Sequence, residues 1–245
     1  MQATHIIFTD GSSLGNPGPG GFGAVIVING AYVTELGAHV PHTTNNRMEL
    51  FALVEGLRRL KDEKGALTIF LDSQYVHKGA TEWVHGWKKR RWMTSGKTPV
   101  EHRDLWEELD LLLIARSKLG KVSFTHVPGH SGIVGNERCD EIATSYAQGD
   151  EPGLYHGPLA DYAVDILNIT IDEKAQAKRS LQRAHARTKA FSYLSLVAGV
   201  ANRHATWVEC EKRVQGKKGE VKYKKSISAE DEKHILQVWG VQLKK

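Results

Sequence analysis

The chain has little of what marks a secreted, disulfide-held or membrane protein. Its 245 residues include only two cysteines, Cys139 and Cys210. They lie in different segments and make neither a CxxC pair nor a zinc-ligand spacing, which leaves free thiols in a reducing compartment as the simplest expectation. No apolar run is long enough to span a bilayer, so no membrane association is expected. The opening MQATHIIFTDGSS has no basic leader followed by an apolar core, so no secretion signal is expected and the expected location is cytoplasmic. Internal repeats are missing, and no proline follows Pro158.

What is present is an ordinary soluble composition, 40% hydrophobic and 25% charged, with an uneven charge. The net charge is +5. Residues 171–245 carry 17 Lys and Arg against 8 Asp and Glu, whereas residues 1–170 carry 16 against 20. A step of this kind implies two units, the second basic and suited to a polyanion, of which nucleic acid is the usual one.

Local patterns give the order of elements. THIIFTDGSS is a β-rich apolar run ending in a turn dipeptide. A second strand follows NPGPGG, and Asn29-Gly30 signals a hairpin to a third. TTNNRMELFALVEGLRRLK is a capped helix with an apolar stripe through Leu50, Leu53, Val54, Leu57 and Leu60. ALTIFLD is a buried strand, SQYVHKGATEWVHGWKKRRW short helices, HRDLWEELDLLLIARS a longer helix, and KVSFTHVPG a last strand ending near His126. A glycine-rich loop then leads into a helix over 136–147. The expected fold class is α/β: a mixed five-stranded sheet flanked by helices over residues 1–148. Residues 149–190 are expected to be a linker, partly helical and basic, and 191–245 a small α+β domain of the order strand, helix, strand, helix.

Four acids stand out. Asp10 and Asp72 end or closely follow apolar strands, where an unpaired carboxylate is costly. Glu49 lies four residues after Asn45 on one helix face, and Asp140 lies on the last helix of the first unit. Parallel central strands would set Asp10 beside Asp72, with Glu49 and Asp140 above them. Four carboxylates without matching cations repel, and divalent ions with hard oxygen ligands resolve that. Each acid alone is more often a turn former or a solvated helix residue.

Taken together, FTDGSSLGNPGPGGFGAV, TTNNRMEL, LDSQYV and VPGHSGIVGNERCDEIA closely resemble the bacterial type 1 ribonuclease H family over about residues 4–147. That resemblance implies the ribonuclease H-like fold and hydrolysis of the RNA strand of RNA/DNA hybrids; the expected state is a monomer. It implies that Asp10, Glu49, Asp72 and Asp140 hold two Mg²⁺ ions, with Mn²⁺ as a substitute. His130 matches the family's loop histidine, expected to assist proton transfer or departure of the product phosphate; an imidazole titrating near neutrality suits either. Ser13, Asn16, Asn45, Asn46 and Gln74 are implied to line the grooves that hold the strands, with a turn or cap role the bland alternative for each asparagine. Trp83, Trp87, Lys88, Lys89, Arg90, Arg91, Trp92 and Lys97 resemble the family's basic protrusion, with Trp87 the one most readily explained as helix packing. Cys139 is expected to be core, not a nucleophile.

The tail, with Tyr193, TWVEC, VQGKKG and YKKS, resembles the hybrid-binding domain of eukaryotic ribonucleases H1 and the related caulimovirus inclusion-body domain. This implies that Trp207 and Tyr223 meet DNA sugars and that Lys224 and Lys225 meet phosphates, with double-stranded RNA a further ligand. Here the domain is C-terminal, and serine replaces the second aromatic of the family's FKKF. A non-catalytic hybrid-binding protein that kept the fold is the alternative; the intact acids and His130 argue against it.

Overall fold

The computed structural model describes residues 4–129, 132–170, 190–217 and 221–243. The chain divides into two compact units, Met1–Gln176 and Ala177–Lys245.

In the first unit, β1 (Thr4–Ser13), β2 (Gly18–Ile28) and β3 (Tyr32–Thr43) form an antiparallel meander. Asn29 and Gly30 both take positive φ in the turn between β2 and β3, as the hairpin signal requires. Helix α1 (Asn45–Arg59) follows, capped by the Thr44 hydroxyl, which accepts from the Arg47 N–H. Then come β4 (Ala66–Leu71), α2 (Gln74–Lys78), a π-turn (Gly79–Trp83), α3 (Val84–Lys89), α4 (Arg103–Ser117), β5 (Val122–His126) and α5 (Val134–Gln148). β4 pairs in parallel with both β1 and β5, giving a mixed sheet with β1 at its centre.

Strand pleating divides the core in two. Ile7, Ile26 and Ile69 pack with α1 and α4 on one face. Phe8, Val25, Val27 and Phe70 pack with Cys139 and Ile142 of α5 on the other. Two glycines set how closely the helices approach. A Cβ on Gly11 would stand 2.2 Å from the Glu49 backbone nitrogen, and one on Gly23 would stand 2.3 Å from the Cys139 carbonyl oxygen. Gly23 pairs directly with Asp10 across the sheet. Only glycine at these positions lets α1 close on β1 and α5 close on β2 beside Asp10.

Three expectations are corrected. The sheet has six strands, not five: β6 (His156–Pro158) pairs antiparallel with β3 at its edge. Residues 149–170 therefore do not begin a linker; Ile166 is buried in the α5-side core, with Leu154, Tyr155, Leu159 and Tyr162 packed on it. The rest of the expected linker, 171–189, lies outside the described residues. The second unit contains an extra strand. Its order is β7 (Ser192–Val197), β8 (Val200–His204), α6 (Trp207–Val214), β9 (Val221–Ser226) and α7 (Ala229–Trp239), with sheet order β8-β7-β9. β8 turns back through Ala198 and Gly199, both at positive φ. Thr206 and Glu209 form a reciprocal capping box at the start of α6.

Both cysteines are free and buried. Among the described residues no helix is long and apolar enough to cross a membrane.

Candidate metal centre and nucleic-acid interface

Asp10 lies on β1 and Glu49 on α1, each 7% exposed. Asp72 follows β4 and is half-buried. Oxygen atoms of these three carboxylates all lie within 4.8 Å of one another. Each is held from behind. The Gly11 N–H donates to Asp10 Oδ1 at 2.7 Å, and Asn45 Nδ2 donates to Glu49 Oε1 at 3.2 Å. Asn136 Nδ2 reaches Asp72 Oδ2 at 3.5 Å, and His126 Nε2 donates to the Asp72 carbonyl at 3.1 Å. Asp140, half-buried on α5, accepts from the Thr144 hydroxyl at 3.5 Å.

Burial, and then the neighbouring charges of Asp72 and Asp140, hold the Asp10 carboxyl well above the usual carboxylate range. Burial, then Asp10 and Asp72, do the same to Glu49. Glu49 Oε2 is buried without a hydrogen-bond partner. A buried oxygen without a partner, on a carboxylate clustered with two other acids, fits a hard cation with oxygen ligands. Cys139 is fully buried and burial pushes its thiol up, so it is packing and not a nucleophile.

The remaining expected residues fall around this cluster. Asn16 Oδ1 accepts from the Asn45 N–H at 3.3 Å, so the β1–β2 turn touches the start of α1. Asn46 and Gln74 are exposed and Ser13 is half-buried. His130 lies outside the described residues. In the protrusion, Trp83 is 37% exposed while Trp87 is buried between Trp83 and Trp106, with ring centroids 5.7 and 5.2 Å away. Trp92 packs against the same core. Lys88 Nζ is tied to Asp110 at 2.6 Å, while Lys89, Arg90, Arg91 and Lys97 are exposed.

In the second unit Trp207 sits between Tyr193 and Tyr223, at 5.9 and 5.4 Å between centroids, with the rings tilted by 58° and 60°. Tyr193 pairs with Lys225 and Ser195 with Tyr223 across the sheet. The pleat therefore puts Tyr193, Tyr223 and Lys225 on one face and Lys224 on the other. Ser226, where the resemblance leads one to expect an aromatic, is fully buried, and its hydroxyl lies 2.6 Å from that of Ser192.

Sequence reasoning missed Asn136, which sits inside the quoted GNERCD and supports Asp72. It also missed Glu137, whose Oε1 accepts the Gly132 N–H at 3.2 Å and fastens the loop before α5.

A mixed sheet of this order, with acids gathered over its central parallel strands, defines the class: a ribonuclease H-like hydrolase fold. The chain belongs to the RNase H family, whose model matches residues 2–148, and its activity class is ribonuclease H. It is 51% identical over 155 residues to the ribonuclease H of Thermosynechococcus vestitus, covering 62% of this chain and 94% of that protein. To the ribonuclease H of Aeromonas salmonicida it is 49% identical over 148 residues, covering 60% and 92%. Among solved structures it is similar to LC9-RNase H1, a type 1 RNase H with the type 2 active-site motif. The TM-score is 0.53 at 28% identity, over 64% of this chain and 78% of that one. A foamy viral protease-reverse transcriptase in complex with RNA/DNA hybrid shares the fold, with TM-score 0.51 at 19% identity over 60% of this chain and 20% of that one.

Proposed function

We propose that the chain hydrolyses the RNA strand of RNA/DNA hybrids with two divalent ions held by Asp10, Glu49, Asp72 and Asp140. The observation that carries this is the cluster of three carboxylates within 4.8 Å, in which burial and neighbouring acids raise Asp10 and Glu49 and one buried Glu49 oxygen has no hydrogen-bond partner. Held by these carboxylates, Mg²⁺ ions, or Mn²⁺ in their place, would supply positive charge to the reacting phosphate. The chain's own groups do the rest. Asn45 and Asn136 orient Glu49 and Asp72, and the Gly11 N–H fixes Asp10. His130 moves a proton or helps the product phosphate leave. Ser13, Asn16, Asn45, Asn46 and Gln74 offer short polar groups beside the cluster that can read 2′-hydroxyls.

Trp83, Lys89, Arg90 and Arg91 hold the DNA strand beside the cluster, with Lys88 sharing its charge with Asp110. Residues 191–245 form a second nucleic-acid module, for hybrid or double-stranded RNA, in which Trp207 and Tyr223 stack on the ligand, Lys225 meets phosphate on their face, and Lys224 reaches phosphate from the other face around the edge strand β9. The catalytic unit extends past residue 148 through the segment ending near 170. The enzyme works as a monomer in the cytoplasm, where its two buried thiols stay reduced.

The test uses purified protein with strand-labelled hybrid, double-stranded RNA and double-stranded DNA, in Mg²⁺ and in EDTA. Cleavage confined to the RNA strand of the hybrid, and only with Mg²⁺, is expected. Cleavage in EDTA, or of the DNA duplex, would overturn the reading.

A further inference from the structure

Glu35 is a fully buried carboxylate on β3, remote in sequence from the acids of the metal centre. It is satisfied by four donors. Arg138 of α5 gives Nε to Oε1 at 2.7 Å and Nη2 to Oε2 at 2.9 Å. The Tyr162 hydroxyl donates to Oε1 at 2.6 Å and the Tyr155 N–H to Oε2 at 2.9 Å. The Glu35 N–H in turn donates to the Tyr155 carbonyl at 2.9 Å. One side chain thus fastens together the edge of the sheet, α5 and the strap of residues 153–164. A cavity of about 430 Å³, lined by Glu35, Arg138, Leu154, Tyr155, Tyr162 and Val164 among others, stays open beside this junction. Hydrogen bonds to Glu35 therefore hold the strap here together with the packing of Leu154, Leu159 and Ile166.

The junction bears on the metal centre through α5. Cys139 is the buried residue of that helix that lies over Gly23. Arg138 and Asp140 flank it, about 100° to either side on a helix. On the Asp140 flank Asp10 is near enough for the two like charges to act on each other, and that repulsion opposes a close approach of the two carboxylates. Gly23, having no side chain, lets α5 come close to the sheet, where Ile142 and Tyr146 pack on it. A bidentate, charge-assisted pair on the Arg138 flank adds a directional restraint on the roll of the helix that apolar packing lacks.

We propose that Glu35 and Tyr162 are positioning residues for Asp140: by gripping Arg138 they fix the roll of α5 and hold the Asp140 carboxylate in the metal centre against its acidic neighbours. This rests on the reading that Asp140 holds a divalent ion. It makes the strap beyond the family match a working part of the catalytic unit.

The experiment uses the full chain with Tyr162→Phe, which removes one hydroxyl, and Glu35→Gln, which removes the charge facing Arg138. Leu109→Ala, in the core on the other side of the sheet, serves as a control that lowers stability. Three quantities are read: the Mg²⁺ concentration for half-maximal cleavage, the KM for hybrid, and Mn²⁺ binding by calorimetry without substrate. Both strap variants are expected to raise the Mg²⁺ midpoint and weaken Mn²⁺ binding by up to about tenfold, the low end for groups that hydrogen-bond a metal ligand directly, because Glu35 and Tyr162 reach Asp140 only through Arg138 and the helix. Their hybrid KM should be unchanged, and Leu109→Ala should leave the midpoint in place. A wild-type midpoint in Tyr162→Phe, or an equal shift in Leu109→Ala, would overturn the proposal. Should Glu35→Gln fail to fold, Tyr162→Phe decides alone. A wild-type chain without Mg²⁺-dependent cleavage would overturn the proposed function, and this inference with it.

Discussion

In the first unit Asp10 and Glu49 are each 7% exposed and face other carboxylates; in the second, Trp207 and Tyr223 are 38% and 56% exposed and stand among lysines. The two surfaces relate differently to folding. Burying like charges opposes folding until a cation arrives, so the first site depends on tight backbone approach at Gly11 and Gly23 and on donors behind the acids. The aromatic face leaves its polar atoms in water and costs the fold little. Substitutions should accordingly be all-or-none in the first and graded in the second.

The largest expected effects fall on the acids. Asp10→Asn or Asp72→Asn should lower hybrid cleavage by about 10³-fold, equivalent to several kcal/mol of transition-state stabilisation, while a gel-shift assay shows hybrid binding retained. An active Asp10→Asn enzyme at any Mg²⁺ concentration would remove the distinction between the two surfaces. His130→Ala should come next, with turnover down roughly 10²-fold or more and metal binding unchanged; single-turnover rates alongside calorimetry separate the two. Trp207→Ala should be smaller, weakening hybrid binding by about 1–3 kcal/mol without loss of catalytic rate at saturating substrate. Its circular-dichroism spectrum should match wild type, and an unfolded second unit would show instead that Trp207 is core. Smallest is the change in salt dependence. Lys224→Ala with Lys225→Ala should reduce the slope of log affinity against log salt by about one to two, in proportion to the phosphates released. An unchanged slope would take those lysines off the interface.

The readable parts of this chain are those with dense local signals. The β1–β5 order, α1 and α5 followed from alternation, caps and apolar stripes, and Leu50, Leu53, Val54, Leu57 and Leu60 are all buried as the stripe requires. Three of the four acids gather within one small volume because their motifs fall at strand ends and at the start of a helix. β6 was invisible because three residues, His-Gly-Pro, carry no period. The strap of 149–170 looked like a linker because its anchor is Glu35, more than a hundred residues earlier, and nothing local announces a pairing that distant. β8 was missed for a related reason: VANRH mixes polar and apolar residues without alternation, and its register comes from the turn at Ala198 and Gly199. The division of Tyr223 and Lys225 from Lys224 follows from the pleat once YKKS is known to be a strand, and could have been drawn from the sequence.

The most direct measurement is thermal unfolding of wild type and Glu49→Gln, with EDTA and with Mg²⁺, across pH. Asp10 and Glu49 have raised pKa values in the folded chain, so without metal they favour folding below the ordinary carboxylate range, and that contribution is lost as pH rises through their folded values. In EDTA the wild-type midpoint should therefore fall relative to Glu49→Gln as pH climbs from about 4 toward neutrality. Adding Mg²⁺ at neutral pH should raise the wild-type midpoint more than that of the variant. A wild type that is indifferent to Mg²⁺, or that gains on Glu49→Gln as pH rises in EDTA, would contradict the idea that this cluster is built for divalent ions.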